Sequence, residues 1–311
     1  MKAFFQKFFS LLMSFFLLFA GLFQSGSGGE QKPTVTNTPV KSFQNLAYGS
    51  DTSRQILDLE LPETDGKTGL VLFIHGGAWI FGGKDVYKGN LSLWKKSGYA
   101  AATMNYRFIS DTVHMNDELD DIGAALAKIK ETAAAAGYTV NKVILAGMSA
   151  GAHLSLLYAY ARKSSAPITP TAVVSYSGPS DLTRADFLEE NSLGDLNAML
   201  GLMQKASGVA ITAEDYTNKT GAYDAFMAAL RSVSPISYAN ASAVPTLFAH
   251  GEQDTIVPFA GVKVLSDTLT AAGVKNDLVS YPNSGHDLAD DPDSAAQLNT
   301  LAMQYVQDYL K

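Results

Sequence analysis

The sequence predicts an α/β fold in which a mostly parallel central sheet is covered by helices on both faces. Short apolar runs alternate along the chain with longer amphipathic segments, a spacing typical of strands joined by crossover helices. One of these runs, Leu70–Ile74 (LVLFI), is apolar at every position, as a strand buried on both faces should be. The chain has 311 residues and is 47% hydrophobic, which is enough for one large domain of this class.

The predicted strands are short and either uniformly apolar or alternating. In chain order they cover residues 42–48, 55–61, 70–74, 99–106, 142–146, 171–176, 245–249 and 277–281. The predicted helices are longer and repeat their apolar residues at three-to-four spacing, as Leu119, Ile122 and Leu126 do in the first of them. They cover residues 116–136, 150–162, 258–272 and 293–310.

Residues 181–234 interrupt this alternation. The segment contains several short helical pieces, including 196–203 and 223–230, and no convincing strand. A connection of this length is too long for a simple crossover. We therefore predict a helical cap inserted over the carboxyl edge of the sheet, with an elaborated crossover helix as the alternative.

The beginning of the chain predicts export rather than fold. Lys2 and Lys7 precede residues 8–23, which are apolar except for Ser10 and Ser14, and small polar residues follow. A basic start, an apolar stretch and small residues are the three parts of an export signal. The apolar run is shorter than the roughly 20 residues that span a bilayer comfortably.

We therefore predict a signal peptide, or alternatively an uncleaved N-terminal anchor, over residues 1–27. The Gly-, Ser-, Thr- and Pro-rich segment 28–41 is predicted to be a flexible linker, and residues 42–311 form the folded domain. A protein of this design is secreted or held at the cell envelope. Its only expected membrane contact is the N-terminal segment, if that segment is retained.

The composition excludes several kinds of chemistry. There is no cysteine, which excludes disulfides, thiolate metal sites, Fe–S clusters and a cysteine nucleophile. Asp plus Glu is 30 and Lys plus Arg is 23, with no basic block, so nucleic acid is not an expected partner. The histidines and carboxylates show no spacing typical of a metal site, so neither a metal nor an organic cofactor is expected.

A serine lies between two glycines in Gly147-Met148-Ser149-Ala150-Gly151, between a predicted strand and a predicted helix. Glycines two residues to either side allow a sharp turn that lifts the hydroxyl above the sheet. The turn also places the serine at a helix N-terminus, where backbone N–H groups favour a developing anion. We predict Ser149 as a nucleophile, with a helix-capping serine as the alternative.

A second glycine-rich motif, His75-Gly76-Gly77-Ala78-Trp79, follows the strand LVLFI. Two glycines let the backbone pass close to a ligand and direct N–H groups toward it. We predict that the N–H groups of Gly76 and Gly77, with that of Ala150, hold a tetrahedral oxyanion. A tight loop without a ligand is the alternative.

An acid and a histidine follow two late predicted strands, Asp254 within HGEQD and His286 within NSGH. Because the carboxyl ends of parallel strands meet at one edge of a sheet, we expect these side chains to lie side by side. The order serine, aspartate, histidine along the chain is that of α/β-hydrolases. We predict Ser149, Asp254 and His286 as a catalytic triad, with Glu252 and Asp287 as competing acids.

With these residues in place, the sequence resembles the α/β-hydrolase esterases of the hormone-sensitive-lipase-like group, near its acetyl xylan and feruloyl (carbohydrate) esterases. The resemblance covers roughly residues 42–311 and is carried by HGGAW (75–79), GMSAGAHL (147–154), SPISYA (234–239), HGEQDTIVP (250–258) and GH (285–286). It implies an α/β-hydrolase fold and a serine esterase activity. Family members often have Gly in place of Ala78 and His in place of Met148.

The resemblance implies a carboxylic-ester hydrolase that removes short acyl (acetyl) or feruloyl groups from carbohydrate or small esters. We name Trp79, Tyr106 and Met148 as candidate substrate contacts; the aromatic rings suit either stacking on sugar or phenolic rings or packing of the loops. The alternatives are a general carboxylesterase or lipase acting on lipid-like esters, an arylformamidase, an exported peptidase and a non-catalytic hydrolase-fold binding module. Acyl preference, the natural alcohol and the oligomeric state stay open.

Overall fold

The computed structural model describes residues 41–63, 66–190 and 194–311. The predicted export segment, and all of the predicted linker except Lys41, lie outside these residues. The core is an eight-stranded sheet with the strand order β1-β2-β5-β4-β7-β8-β9-β10. Its strands are β1 (Ser42–Ala47), β2 (Ile56–Glu60), β4 (Leu70–Ile74), β5 (Ala100–Met104), β7 (Lys142–Met148), β8 (Thr169–Tyr176), β9 (Thr246–Gly251) and β10 (Asn276–Tyr281).

The strand β2 is the antiparallel member of this sheet, since it pairs antiparallel with both β1 and β5. Every other adjacent pair, from β5 across to β10, is parallel. The predicted α/β fold with a mostly parallel sheet is therefore confirmed. A separate parallel pair, β3 (Gly66–Lys67) with β6 (Tyr138–Thr139), was not predicted, because two residues are too few to show a pattern.

The helices accompany the strands in the expected alternation. They are α1 (Lys88–Lys96), α2 (Met115–Ala135), α3 (Ala150–Ala161), α4 (Ala185–Leu188), α5 (Leu196–Ser207), α6 (Ala213–Asn218), α7 (Gly221–Ser232), α8 (Phe259–Ala271) and α9 (Pro292–Tyr309). Three 3₁₀ turns complete the described part: Lys84–Tyr87, Lys163–Ser165 and Pro235–Tyr238. Within that part of the chain, no helix is both long and apolar enough to cross a membrane.

Helices cover both faces of the sheet, as predicted. Successive side chains of a strand point to opposite faces. In β4, Leu70, Leu72 and Ile74 join the larger apolar cluster with residues of α2, α3 and α8. Val71 and Phe73 join a second cluster with residues of α1 and α9.

The segment 181–234 carries the four helices α4 to α7, and its described residues contain no strand. Phe226 and Leu230 of α7 are buried in the larger apolar cluster. The end of α5 is tied to the loop before α2, because Nδ1 of His114 lies 2.8 Å from the carbonyl oxygen of Lys205, whose ammonium lies 2.6 Å from Asp111. The helical content agrees with expectation, whereas a capping role for this segment stays a prediction.

Candidate active site

The four predicted site segments all leave the same edge of the sheet. The strands β4, β7, β9 and β10 run parallel, and His75, Ser149, Asp254 and His286 follow their carboxyl ends. Parallel strands place their carboxyl ends together, which is where ligand sites of open α/β sheets form. The topology thus brings together residues that are up to 211 positions apart in the chain.

Ser149 occupies a sharp, strained turn between β7 and α3. Its φ is 54° and its ψ is −123°, a backbone conformation that costs a residue other than glycine on the order of 1–3 kcal/mol. The turn is held by the Ser149 N–H, which donates to the carbonyl oxygen of Tyr176 over 2.8 Å, and by the His153 N–H, which donates to the Ser149 carbonyl oxygen over 3.0 Å. Ser149 is 5% exposed.

The two glycines around this turn are required because neither position has room for a Cβ atom. A Cβ at Gly151 would lie 2.0 Å from the carbonyl oxygen of Ile74, and a Cβ at Gly147 would lie 2.5 Å from the carbonyl carbon of Gly151. Both contacts are with backbone, which has no freedom to move aside. The pattern of glycines that pointed to Ser149 therefore has a steric cause: α3 starts directly against the end of β4.

Asp254 and His286 form a buried pair. Nδ1 of His286 lies 2.7 Å from Oδ2 of Asp254, while Oδ1 of Asp254 accepts the N–H groups of Ile256 and Val257, each over 2.9 Å. Burial by itself raises the pKa of Asp254, but the attraction of His286 and hydrogen bonds from His250 and His286 outweigh it and lower the net pKa. Because the carboxylate is ionised and can only accept, Nδ1 of His286 carries a proton, and in the neutral ring Nε2 then carries the lone pair.

A second histidine approaches the same carboxylate. Nε2 of His250 donates to the carbonyl oxygen of Val257 over 2.7 Å and lies 3.4 Å from Oδ2 of Asp254. His250 is fully buried. The carbonyl oxygen of His286 in turn accepts the hydroxyl of Ser177 over 3.0 Å, so both ends of the pair are held.

The predicted oxyanion donors lie beside the serine turn. A Cβ at Gly76 would be 2.8 Å from the carbonyl oxygen of Met148 and 3.3 Å from Cβ of Ser149, so this loop passes directly over the Ser149 turn. Ala150 is the first residue of α3, and its N–H is one of those a helix start leaves without an intrahelical acceptor. Within the described residues, no hydrogen bond engages the N–H of Gly76, Gly77 or Ala150.

The three candidate substrate contacts lie in packed surroundings. Trp79 packs edge-on against His153, with ring centroids 5.2 Å apart, and Tyr106 stacks on His75 and donates its hydroxyl to the His75 carbonyl oxygen. Met148 belongs to the apolar cluster on the opposite face of the sheet from α3. None of the three offers much surface to a ligand in this arrangement, so substrate contact by them stays a prediction.

The competing residues lie elsewhere. Glu252 is exposed, whereas Asp254 is buried and contacts the His286 ring. His153 is a buried residue of α3, and its Nε2 lies 2.8 Å from the carbonyl oxygen of Val233. His114 is the N-cap of α2 and contacts Lys205 of α5. No group of three or more histidines and carboxylates suited to a metal occurs in residues 41–63, 66–190 and 194–311.

Sequence reasoning missed one contributor to the site. Arg54, in the turn between β1 and β2, reaches the histidine of the glycine-rich loop: its Nη2 lies 3.2 Å from Nε2 of His75. Nothing in the segment TSRQ around it signals this contact, because the two residues meet only through the pairing of the antiparallel strands with the parallel part of the sheet.

Several curated relatives of this chain are named as esterases. It is 28% identical over 283 residues to esterase LipQ of Mycobacterium tuberculosis, an alignment covering 86% of this chain and 61% of LipQ. It is 28% identical over 256 residues to isoprenylcysteine alpha-carbonyl methylesterase ICME of Arabidopsis thaliana, covering 78% and 56% respectively. The chain thus spans about 60% of the length of the curated relatives it matches.

Solved structures share the fold. A truncated carbohydrate esterase from gut microbiota superposes with a TM-score of 0.65 at 21% identity, covering 88% of this chain and 99% of that one. Esterase B of Lactobacillus rhamnosis, in an inhibited form, gives a TM-score of 0.67 at 18% identity and covers 88% of each chain. The BD-FAE family model matches residues 57–269, from β2 through α8 and across the serine turn and the acid loop. This match spans well over half of the sequence, and the chain therefore belongs to the BD-FAE family of hormone-sensitive-lipase-like α/β-hydrolases.

Proposed function

We propose that the chain is a serine carboxylic-ester hydrolase in which Ser149, His286 and Asp254 act as a catalytic triad. The observation that carries this proposal is the buried 2.7 Å contact between His286 and Asp254 at the sheet edge where the strained Ser149 turn lies. An ionised acid that fixes a neutral imidazole as the Nδ1–H tautomer leaves Nε2 as a general base. Family membership and the esterase names of the relatives support the same reaction class.

In the first half of the reaction, Oγ of Ser149 attacks the ester carbonyl carbon and its proton passes to Nε2 of His286. The carbonyl oxygen becomes an oxyanion, which accepts hydrogen bonds from the N–H groups of Gly76, Gly77 and Ala150. Collapse of this intermediate breaks the bond to the alcohol oxygen. The alcohol leaves with the proton from Nε2, and Ser149 holds the acyl group.

In the second half, water attacks the acyl carbon and gives a proton to Nε2 of His286. The same N–H groups hold the second oxyanion. Its collapse breaks the bond to Oγ, which takes back the proton, and the carboxylic acid is released. Asp254 stabilises the imidazolium in both halves and stays ionised throughout, in keeping with its lowered pKa.

We propose short acyl groups, acetyl first and feruloyl second, on carbohydrate or small alcohols as the substrate class. The enclosure of the site supports a small acyl group: Ser149 is 5% exposed and His286 is 4% exposed. The likeness in fold to a carbohydrate esterase supports a sugar as the alcohol. We also propose that residues 1–27 direct export, which would place the enzyme where plant or envelope polysaccharides are met.

The experiment that tests this proposal is a series of initial rates on p-nitrophenyl acetate, butyrate, octanoate and palmitate, with Ser149→Ala as the control. We expect the highest kcat/KM on acetate and no turnover by the variant, followed by release of acetate from acetylated xylan. A maximum at octanoate or longer would replace the carbohydrate proposal by a general carboxylesterase or lipase. Turnover of N-formylkynurenine in preference to all esters would favour an arylformamidase, and wild-type rates in Ser149→Ala would overturn the triad.

A further inference from the structure

Arg54 makes four contacts behind the loop that carries the proposed oxyanion donors. Its Nε donates to the carbonyl oxygen of Tyr106 over 3.0 Å, and its Nη1 donates to that of Gly82 over 3.2 Å. Its guanidinium carbon lies 3.8 Å from the centre of the Phe108 ring, and its Nη2 lies 3.2 Å from Nε2 of His75. Because the planar guanidinium of Arg54 is held at three of its nitrogen atoms and on one face, its orientation is fixed.

The contact with His75 determines which ring nitrogen carries the proton. A guanidinium has donors and no acceptor, so Nε2 of His75 must accept from Arg54. The proton of the neutral ring is then on Nδ1, which donates to the carbonyl oxygen of Gly76 over 2.7 Å. The ring is neutral because burial lowers the pKa of His75 to about 3, with the charge of Arg54 acting in the same direction.

The hydrogen bond from His75 determines the direction of one peptide group. The Gly76–Gly77 peptide is trans, so its N–H points opposite to its C=O. Since Nδ1 of His75 holds the Gly76 oxygen on the side of Gly82, the N–H of Gly77 faces away from that side. If His75 carried its proton on Nε2 instead, Nδ1 and the Gly76 oxygen would be two acceptors 2.7 Å apart and would repel each other.

We propose that Arg54 is a positioning residue for the oxyanion loop, by which we mean the glycine-rich segment 75–79. By donating to Nε2 of His75 it maintains the Nδ1–H tautomer that orients the Gly76–Gly77 peptide toward the Ser149 turn. The inference rests on the proposed ester hydrolysis and deepens it. Arg54 does not touch the substrate. Its influence passes through His75, so it acts on the stability of the transition state and hardly on the binding of the ester.

A pair of histidine substitutions separates this role from simple structural support. The amide nitrogen of an asparagine takes the place of Nδ1 and donates without any tautomer, whereas that of a glutamine takes the place of Nε2. We expect His75→Asn to keep more of the wild-type kcat than His75→Gln. Arg54→Met should lower kcat on p-nitrophenyl acetate by about 10- to 100-fold with KM within about threefold, since losing one oxyanion donor outright costs on the order of 10²–10³.

The decisive comparison is a double-mutant cycle. In the His75→Asn background, Arg54→Met should lower kcat by less than about threefold, because no tautomer remains to be fixed. Equal losses in both backgrounds would overturn the proposal and leave Arg54 as a structural residue. Arg162→Met, which replaces a half-buried arginine at the C-cap of α3, serves as the matched control and should leave kcat unchanged.

Nitrogen NMR of the wild-type protein tests the same point even if Arg54→Met fails to fold. The ¹⁵N shifts of His75 should show a protonated Nδ1 and an unprotonated Nε2, and the opposite pattern would overturn the proposal. Failure of the parent function is distinguishable, because it would appear as wild-type rates in Ser149→Ala whatever Arg54 does. Loss of turnover in Ser149→Ala together with full kcat in a folded Arg54→Met would reject the role of Arg54 alone.

Discussion

His286 and Asp254 are joined by a 2.7 Å hydrogen bond between Nδ1 and Oδ2, and the two residues are 4% and 6% exposed. The other carboxylate oxygen is held separately by the N–H groups of Ile256 and Val257. Oδ1 of Asp254 therefore holds the backbone of the loop that follows it, and Oδ2 holds the imidazole of His286. This division allows the electrostatic role of Asp254 to be removed without removing its structural one.

Asp254→Asn should lower kcat by about 10⁴-fold, because a neutral amide no longer holds His286 in the Nδ1–H tautomer or stabilises the imidazolium. The amide oxygen still accepts from Ile256 and Val257, so the far-ultraviolet circular dichroism spectrum should not change. Asp267→Asn removes an exposed carboxylate of α8 that pairs with Lys263 and should leave the rate unaltered. Comparable rates in the two variants would exclude Asp254 as the acid.

The lowered pKa of Asp254 predicts that the stability of the fold depends on pH. The pKa of Asp254 lies below its usual value of 3.8, because the attraction of His286 and the hydrogen bonds from His250 and His286 outweigh the effect of burial. A carboxylate with a lowered folded pKa stabilises the fold above its unfolded pKa and loses this effect as the pH falls through the folded value. The free energy of unfolding, measured in urea from about pH 6 down to about pH 3, should therefore fall less steeply for Asp254→Asn than for the wild type below about pH 4. Parallel curves would contradict this.

Gly76→Ala tests the place of the oxyanion loop. The added Cβ would lie 2.8 Å from the Met148 carbonyl oxygen and 3.3 Å from Cβ of Ser149, so the loop must shift away from Ser149. We expect kcat/KM to fall by about 10²–10³-fold, the loss typical of one oxyanion donor. In Gly89→Ala of α1 the new Cβ meets nothing within 4 Å, and this control should keep full activity and gain about 0.5–1 kcal/mol of stability. Full activity in Gly76→Ala would contradict the proposed role of this loop in holding the oxyanion.

Glu118 should make the fold less stable as the pH rises. It is fully buried on α2, and neither carboxyl oxygen has a hydrogen-bond partner within the described residues. Burial raises its pKa well above the usual value, and the charges of Asp121 and Asp117 raise it further against the opposing effect of Arg107 and Arg54. The folded state thus keeps a proton that the unfolded chain has released above its ordinary pKa of 4.5.

The free energy of unfolding should consequently fall with rising pH by up to about 1.4 kcal/mol per pH unit until the folded state also releases the proton. The side-chain amide in Glu118→Gln does not titrate, so the free energy of unfolding of this variant should not fall in this way. Urea denaturation from about pH 4 to about pH 8 should show the variant gaining on the wild type as the pH rises. A stability difference that stays constant over this interval would mean that Glu118 is ionised in the folded protein.

Lys84 and Asp58 form a buried ion pair at 2.7 Å, with both side chains 4% exposed. Lys84→Met leaves the carboxylate buried without its cation and should cost about 3–5 kcal/mol of unfolding free energy. Adding Asp58→Asn should recover part of this loss, because the uncompensated charge disappears. Lys88→Met, which breaks a half-exposed pair with Asp85, should cost at most about 1 kcal/mol, with both losses measured by urea denaturation. Equal losses in the two single variants would contradict the buried pairing.

Sequence patterns predicted best those elements whose residues repeat regularly. Helix α2 was expected over residues 116–136 and occurs at Met115–Ala135, since its apolar residues repeat at helical spacing and Gly137, with φ of 89°, follows its end. Strand β8 was expected from residue 171 and begins at Thr169. Pro170 lies within it, lacks an N–H, and is accommodated where the register with β7 shifts. Because proline is unusual inside a strand, the sequence pattern does not show that the strand begins before it.

Elements without a periodic pattern were missed. Helix α1, KGNLSLWKK, is mostly polar and buries few residues, among them Leu91 and Trp94. The candidate nucleophile and its partners were accessible from the sequence, because local sterics require glycines around Ser149 and strand topology gathers the other loops. The contact of Arg54 with His75 was not accessible, since it depends on tertiary packing that leaves no local signal.

The central claim is that Ser149 forms a covalent acyl-enzyme with the help of His286 and Asp254. The most direct measurement is to treat the protein with an alkyl p-nitrophenyl phosphonate, which phosphonylates an activated serine, and to locate the added mass by peptide mass spectrometry. We predict one added group on the peptide containing Ser149, release of one equivalent of p-nitrophenol, and no labelling of Ser149→Ala. Labelling at another residue, or equal labelling of Ser149→Ala, would contradict the assignment of Ser149 as the nucleophile.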